Sequence, residues 1–249
     1  MLSFIFSLVL LAQPPADVKD AKTLIKTMHE RYSGKFNKNI TFIQIDTEIK
    51  PDGSKGSVTT SYEAFHFPGK FRADHGPTHS QEGIIVSNDT VYDFEGGVVI
   101  GKTPGIYDIL TLYGDIYFYT LDEAVKKIEK LGYNLNEFRT DTWKGKDVYV
   151  IGAQKGDVTS PQFWIEKDEL YLVRNINISK ESGKLEDNQY LEHQKVENAW
   201  VESQVEIYSG GKLIRKEKIA EAKANNKLDM KIFDVKHLGN VHWHDFKKQ

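Results

Sequence analysis

Apolar and polar positions alternate with period two through most of this chain, and helical spacing interrupts the alternation in two places. In the first, Val18, Ala21, Leu24, Ile25, Met28 and Tyr32 share one face. That spacing predicts an amphipathic helix over 17–32, with Asp17 as N-cap and Gly34 as its stop. The second is a dense aromatic and apolar run from Ile106 to Tyr119, followed by Thr120-Leu121-Asp122-Glu123. Thr120 and Glu123 form a capping box, because each side chain can satisfy the other's free amide. The helix it opens turns Leu121, Ala124, Val125, Ile128 and Leu131 inward and stops at Gly132.

The remainder reads as strands. Candidates before the aromatic run are 40–49, 57–67, 71–74, 84–87, 91–94 and 98–100. After it come 146–154, 162–166, 170–179, 189–196, 199–208 and 212–220. Pro51-Asp52-Gly53, Asn88-Asp89 and Ser209-Gly210-Gly211 are turns, since proline presets one φ while Gly and Asn accept a positive one. In 57–67, Val58, Tyr62 and Ala64 oppose Phe65 and Phe67. Leu170, Leu172, Ile176 and Ile178 oppose Tyr171, Val173, Asn175 and Asn177, and Val201, Val205 and Ile207 oppose Glu202, Gln204 and Glu206. This is the pattern of a sheet with one wetted face. The fold class is α+β: one long, curved antiparallel sheet with helices across its concave face.

Composition narrows the chemistry. With 249 residues and no cysteine, the chain can bury a large core and can form neither disulfides nor cysteine-ligated metal sites. A net charge of −3 gives no basis for nucleic-acid binding. The apolar run from Leu2 to Ala12, broken by Gln13-Pro14-Pro15, predicts a secretory signal over 1–16. One domain over 17–235 and a tail over 236–249 follow.

Two histidine groups are candidates for acid-base or metal chemistry: His66, His75 and His79 with Asp74, and His237, His242 and His244 with Asp245. Solvated loop and tail residues account for both more simply. No nucleophile elbow, phosphate loop or dinucleotide fingerprint is present, and no cofactor is expected. Thirteen Phe, twelve Tyr and four Trp suit either a packed core or an aromatic-walled pocket for a hydrophobic ligand.

Phe42-Ile43-Gln44, Pro68-Gly69-Lys70-Phe71-Arg72, and the run from Ile84 to Phe94 with Ser87-Asn88-Asp89 and Val91-Tyr92 at its centre together resemble the lipoprotein-sorting proteins of the LolA/LolB-like superfamily. Leu228 to Asp234 is similar to the segment that ends that family's sheet. The resemblance implies an unclosed β-barrel with a helical lid, formed here by 106–131. It implies a non-enzymatic periplasmic or secreted carrier that takes up lipid or lipoprotein acyl chains and meets a membrane-associated partner. The residues expected to line the cavity are Phe42, Tyr62, Phe65, Phe67, Phe71, Tyr92, Phe94, Trp164 and Tyr171. The chain departs from the family at one position: the arginine before the Pro-Gly corner, which helps hold the family's lid, is Phe67 here. A His/carboxylate hydrolase and a non-catalytic partner-binding module are the alternatives.

Overall fold

The structure, a computed structural model, describes residues 18–76, 81–179, 182–238 and 243–244. The expected signal, Asp17, His79, His242 and Asp245 lie outside them. Helix α1 is Ala21–Tyr32, with Asp20 as N-cap accepting from the Thr23 amide. It buries Ala21, Leu24, Ile25 and Met28, the stripe its spacing predicts.

A meander follows: β1 (Asn39–Ile49), β2 (Lys55–His66), β3 (Lys70–His75), β4 (Glu82–Ser87), β5 (Thr90–Glu95) and β6 (Val98–Pro104). The lid comes next, as α2 (Asp108–Tyr113), a 3-10 turn at Asp115–Tyr117 and α3 (Leu121–Lys130). The chain returns through β7 (Phe138–Trp143), β8 (Lys146–Ile151), β9 (Gln162–Glu166), β10 (Leu172–Ile178) and β11 (Leu185–Leu191). After the short pair β12 (Gln194–Val196) and β13 (Ala199–Val201) come β14 (Gln204–Ser209) and β15 (Lys212–Ala224).

Thirteen strands form one sheet in the order β6-β5-β4-β3-β2-β1-β15-β14-β11-β10-β9-β8-β7. Every pairing is antiparallel, and β15 closes onto β1 at the centre. The two edges, β6 and β7, do not meet. The chain between them is the lid, so the segment that leaves one edge crosses the inner face before starting the other. That is the α+β half-barrel expected from the pattern.

Several details depart from the sequence reading. The strand β7 was not anticipated. The stretch 199–208 is two strands, broken at Glu202 and Ser203. A register shift between Leu172 and Arg174 reverses the later half of β10, so Asn175 and Asn177 face the lid. The segment Leu228 to Asp234 is not a strand. Its 3-10 turn at Met230–Phe233, with a second at Val235–His237, lies on the outer face.

Candidate functional site

Strand periodicity sorts the sheet's side chains onto two faces. The lid-covered face holds Phe42 from β1, Phe65 from β2, Phe67 from the corner and Phe71 from β3, all in one buried cluster with α1 and the lid. Phe65 stacks on Phe67 at 5.8 Å between ring centres and meets Phe71 at 4.6 Å. Four of the nine expected lining residues are therefore brought together.

Tyr171 sits at the rim, stacked on His193 at 4.1 Å and beside Trp200. It borders a small void of about 20 Å³ between α1, the lid and β10. Burial drives the His193 pKa down to about 3, so this imidazole is neutral and hydrogen-bonds through Nε2 with the Leu172 carbonyl.

Tyr62, Tyr92, Phe94 and Trp164 are on the outer face. Trp164 donates to Gln162 at 2.9 Å and lies under the guanidinium groups of Arg174 and Arg139. Phe94 packs with Ile85 and Leu238. Tyr62 meets the His244 ring at 5.0 Å, and Tyr92 lies beside Lys102. The physical reason is the C-terminal segment: it gives the outer face its own apolar cover, so aromatic residues there need no inner cavity to bury them. Arg72, at 2 % exposure, anchors that cover. It forms two hydrogen bonds to Asp74, donates to the Ile232 carbonyl at 2.9 Å, and spans the Phe94 ring.

Of the candidate histidines, His75 ends β3 across from Ser61, in step with the inward Phe71 and Ala73, while His66 and His237 lie on the outer side. His66 pairs with Asn39 and meets the Phe233 ring on the outer side, and His237 pairs with Asp234. Among the described residues no group of three or more His, Asp or Glu is placed to hold a metal ion.

The lid is held by named contacts. Phe67 is fully buried and stacks on Phe118 and Tyr113. Gly114 makes room for it: a methyl group there would lie 2.6 Å from the Phe67 ring. The Asp115 carboxylate accepts from the Gly69 amide at 2.8 Å, joining the lid to the Pro-Gly corner. Burial raises the Asp115 pKa to about 6, against the lowering effect of that hydrogen bond. Tyr113 donates to Glu202 at 2.9 Å, Asn177 donates to Asp108, and His29 hydrogen-bonds with the Tyr119 carbonyl. Lys127 of α3 pairs with Asp89 in the β4–β5 turn at 3.0 Å.

Sequence reasoning missed the buried carboxyls Glu63, Glu202 and Glu217. Glu202 in particular reads as a wet strand position but is 5 % exposed against the lid. Burial raises the pKa of Glu202 and of Glu217 to about 7.

A lidded, unclosed half-barrel defines the class of fold. Neither a known family description nor a curated protein matches the sequence. Among solved structures, a LolA superfamily protein from Nitrosomonas europaea matches with a TM-score of 0.56 and 11% identity, over 89% of this chain and 100% of that one. A domain named as an outer membrane lipoprotein-sorting protein, from Vibrio parahaemolyticus, gives 0.57 and 10%, over 88% and 97%. A DUF1329 family protein from Desulfovibrio piger gives 0.56 and 13%, over 91% and 100%. This chain therefore has the LolA-type fold, as its corner and strand motifs indicate.

Proposed function

We propose that this protein is a non-enzymatic carrier that holds acyl chains, of a lipid or a lipoprotein, between the inner face of the sheet and the lid. The observation that carries this reading is the lid itself. Its rings and aliphatic side chains lie against the sheet's phenylalanines in one apolar interface, crossed by a few polar contacts, and a segment laid across a sheet in this way can open and close over a ligand. Phe42, Phe65, Phe67 and Phe71 form the floor of the site and Tyr171 its rim. The interior is filled by the lid's own rings in this closed form, so a ligand enters by displacing them. Each methylene it buries contributes about 0.8 kcal/mol, which a chain of ordinary length sums to enough to offset the lost ring contacts.

The apolar run at 2–12 fits delivery out of the cytoplasm and a periplasmic or secreted site of action. Among the described residues no helix is long and apolar enough to cross a membrane. Transfer of cargo then falls to a membrane-associated partner.

The test uses a neutral environment-sensitive dye, N-phenyl-1-naphthylamine, with the full chain, and mass spectrometry of an organic extract of the purified protein. Dye fluorescence that rises on binding and is displaced by dodecanol is the expected result, with acyl-bearing species in the extract. A protein that binds neither dye nor alcohol and extracts clean is not a carrier.

A further inference from the structure

The inner face is not apolar throughout. Along β1 the inward positions run Ile40, Phe42, Gln44, Asp46, changing from apolar to polar as the strand leaves the lid. Glu63 of β2 stands across from Phe42, and Glu217 of β15 stands across from Asp46. Glu202 reaches the same region from the β13–β14 break. Glu63, Glu202 and Glu217 are 8%, 5% and 8% exposed. Four carboxyl groups, these three and Asp46, thus act on one another with one guanidinium among them, Arg215.

Three of the four carboxyls have partners. Glu217 pairs with Arg215 at 2.9 Å, Glu202 accepts from Tyr113, and Asp46 accepts from Gln44 and Ser61. Glu63 has no hydrogen bond or ion pair among the described residues, although it is more than nine-tenths buried and faces the other carboxyls. A carboxyl without a partner on an apolar binding face is costly to desolvate, and a carrier for plain hydrocarbon gives it no function there. The Tyr107 and Tyr113 hydroxyls come from the lid side and Tyr190 from β11, and none of them brings a positive charge.

We infer that the site takes an amphiphile with a cationic head, a protonated amine, received by Glu63 with Glu202 and Glu217 while its chain lies on Phe42, Phe65 and Phe71. The ligand class rests on the carrier reading above. An ammonium offers three donors and one positive charge, matching a group of acceptors with excess negative charge. Burial holds all three glutamates above the ordinary carboxylate range, neighbouring carboxylates add to it at Glu63 and Glu217, and a cation among them relieves both effects. A phosphate or carboxylate head meets repulsion at the same place.

The experiment compares dodecylamine, dodecanol and dodecanoate as displacers of the neutral dye from the full chain. The expected result is that dodecylamine binds about tenfold tighter than dodecanol, with dodecanoate weakest. In Glu63→Gln, and separately in Glu217→Gln, the amine-to-alcohol ratio falls toward one, and thermal melts establish that each variant is folded. If the dye binds but amine and alcohol compete equally in the wild type, the cationic-head inference fails while the carrier reading stands. If dye, alcohol and amine all fail to bind, the carrier reading fails and takes this inference with it.

Discussion

Phe67 is a steric and aromatic latch between the Pro-Gly corner and the lid, and Gly114 is its counterpart. Adding one methyl group at Gly114 forces the Phe67 ring or the lid to move. Gly114→Ala is expected to lower stability by about 1–3 kcal/mol, the usual range for overpacking. Phe67→Ala removes the ring and is expected to lower it by about 3–5 kcal/mol. Urea midpoints measure both, and a Gly114→Ala variant as stable as the wild type would mean that the ring is not confined there. Arg72 makes the sharper case. Its ion pair with Asp74 is 2% and 14% exposed, so removing the guanidinium takes away a buried charge partner and the anchor of the C-terminal segment. Arg72→Ala is expected to cost about 3–5 kcal/mol, well above the loss at an exposed pair such as Lys26 and Glu30. Glu202 and Glu217 add a pH dependence. Their pKa values near 7 in the folded chain exceed the ordinary 4.5, so the native state binds more protons between those values. Their effect on stability is most favourable below the ordinary value, declines as pH rises toward 7, and levels off above it. The decline is on the order of 3 kcal/mol for each group, and Glu202→Gln and Glu217→Gln are expected to flatten the curve of denaturation midpoint against pH.

Among the elements, α3 was the most legible. Its capping box, inward stripe and stop all lie within a dozen consecutive residues, and the structure reproduces each of them. Thr120→Ala is expected to cost about 1 kcal/mol, read as a small shift in the melting midpoint, because both cap bonds are local and exposed. Strand β7 was illegible for the opposite reason. Phe138-Arg139-Thr140-Asp141-Thr142-Trp143 is rich in charge and hydroxyls, and its strand state comes from pairing with β8 rather than from its own pattern. The break at Glu202 and Ser203 was hidden because alternation continues through it. Only the small β12–β13 pairing takes Ala199–Val201 out of the main sheet. In β10 a single register shift moved two asparagines to the inner face, where they meet Asp108 and Tyr190.

For the whole molecule, the lid is the part the carrier reading requires to move, and it is held by a shared apolar core, several aromatic stacks and a few polar contacts. Saturating the protein with dodecanol is expected to slow hydrogen exchange over the sheet's inner strands and to speed it in α2, whose rings the ligand displaces. Unchanged exchange in α2 would mean that the ligand binds elsewhere. Much of this architecture was already determined by the sequence. Period-two runs, Pro-Gly and Asn-Asp turns and two helical interruptions specify a long antiparallel meander with a lid, because these signals act between near neighbours along the chain. The pairing of Phe65 with Phe67, opposite Tyr62 and Ala64, was legible for the same reason. Which face is the inner one was decided only in three dimensions. Both faces are aromatic, and Tyr62, Tyr92, Phe94 and Trp164 point outward because the C-terminal segment and the Arg139–Arg174 pair cover them there. The acidic floor was likewise invisible. Glu63, Glu202 and Glu217 are far apart in sequence and occupy ordinary polar positions of alternating strands. Closure of β15 onto β1, with the lid laid across, gathers them into one low-dielectric place, and their altered charge behaviour follows from that burial.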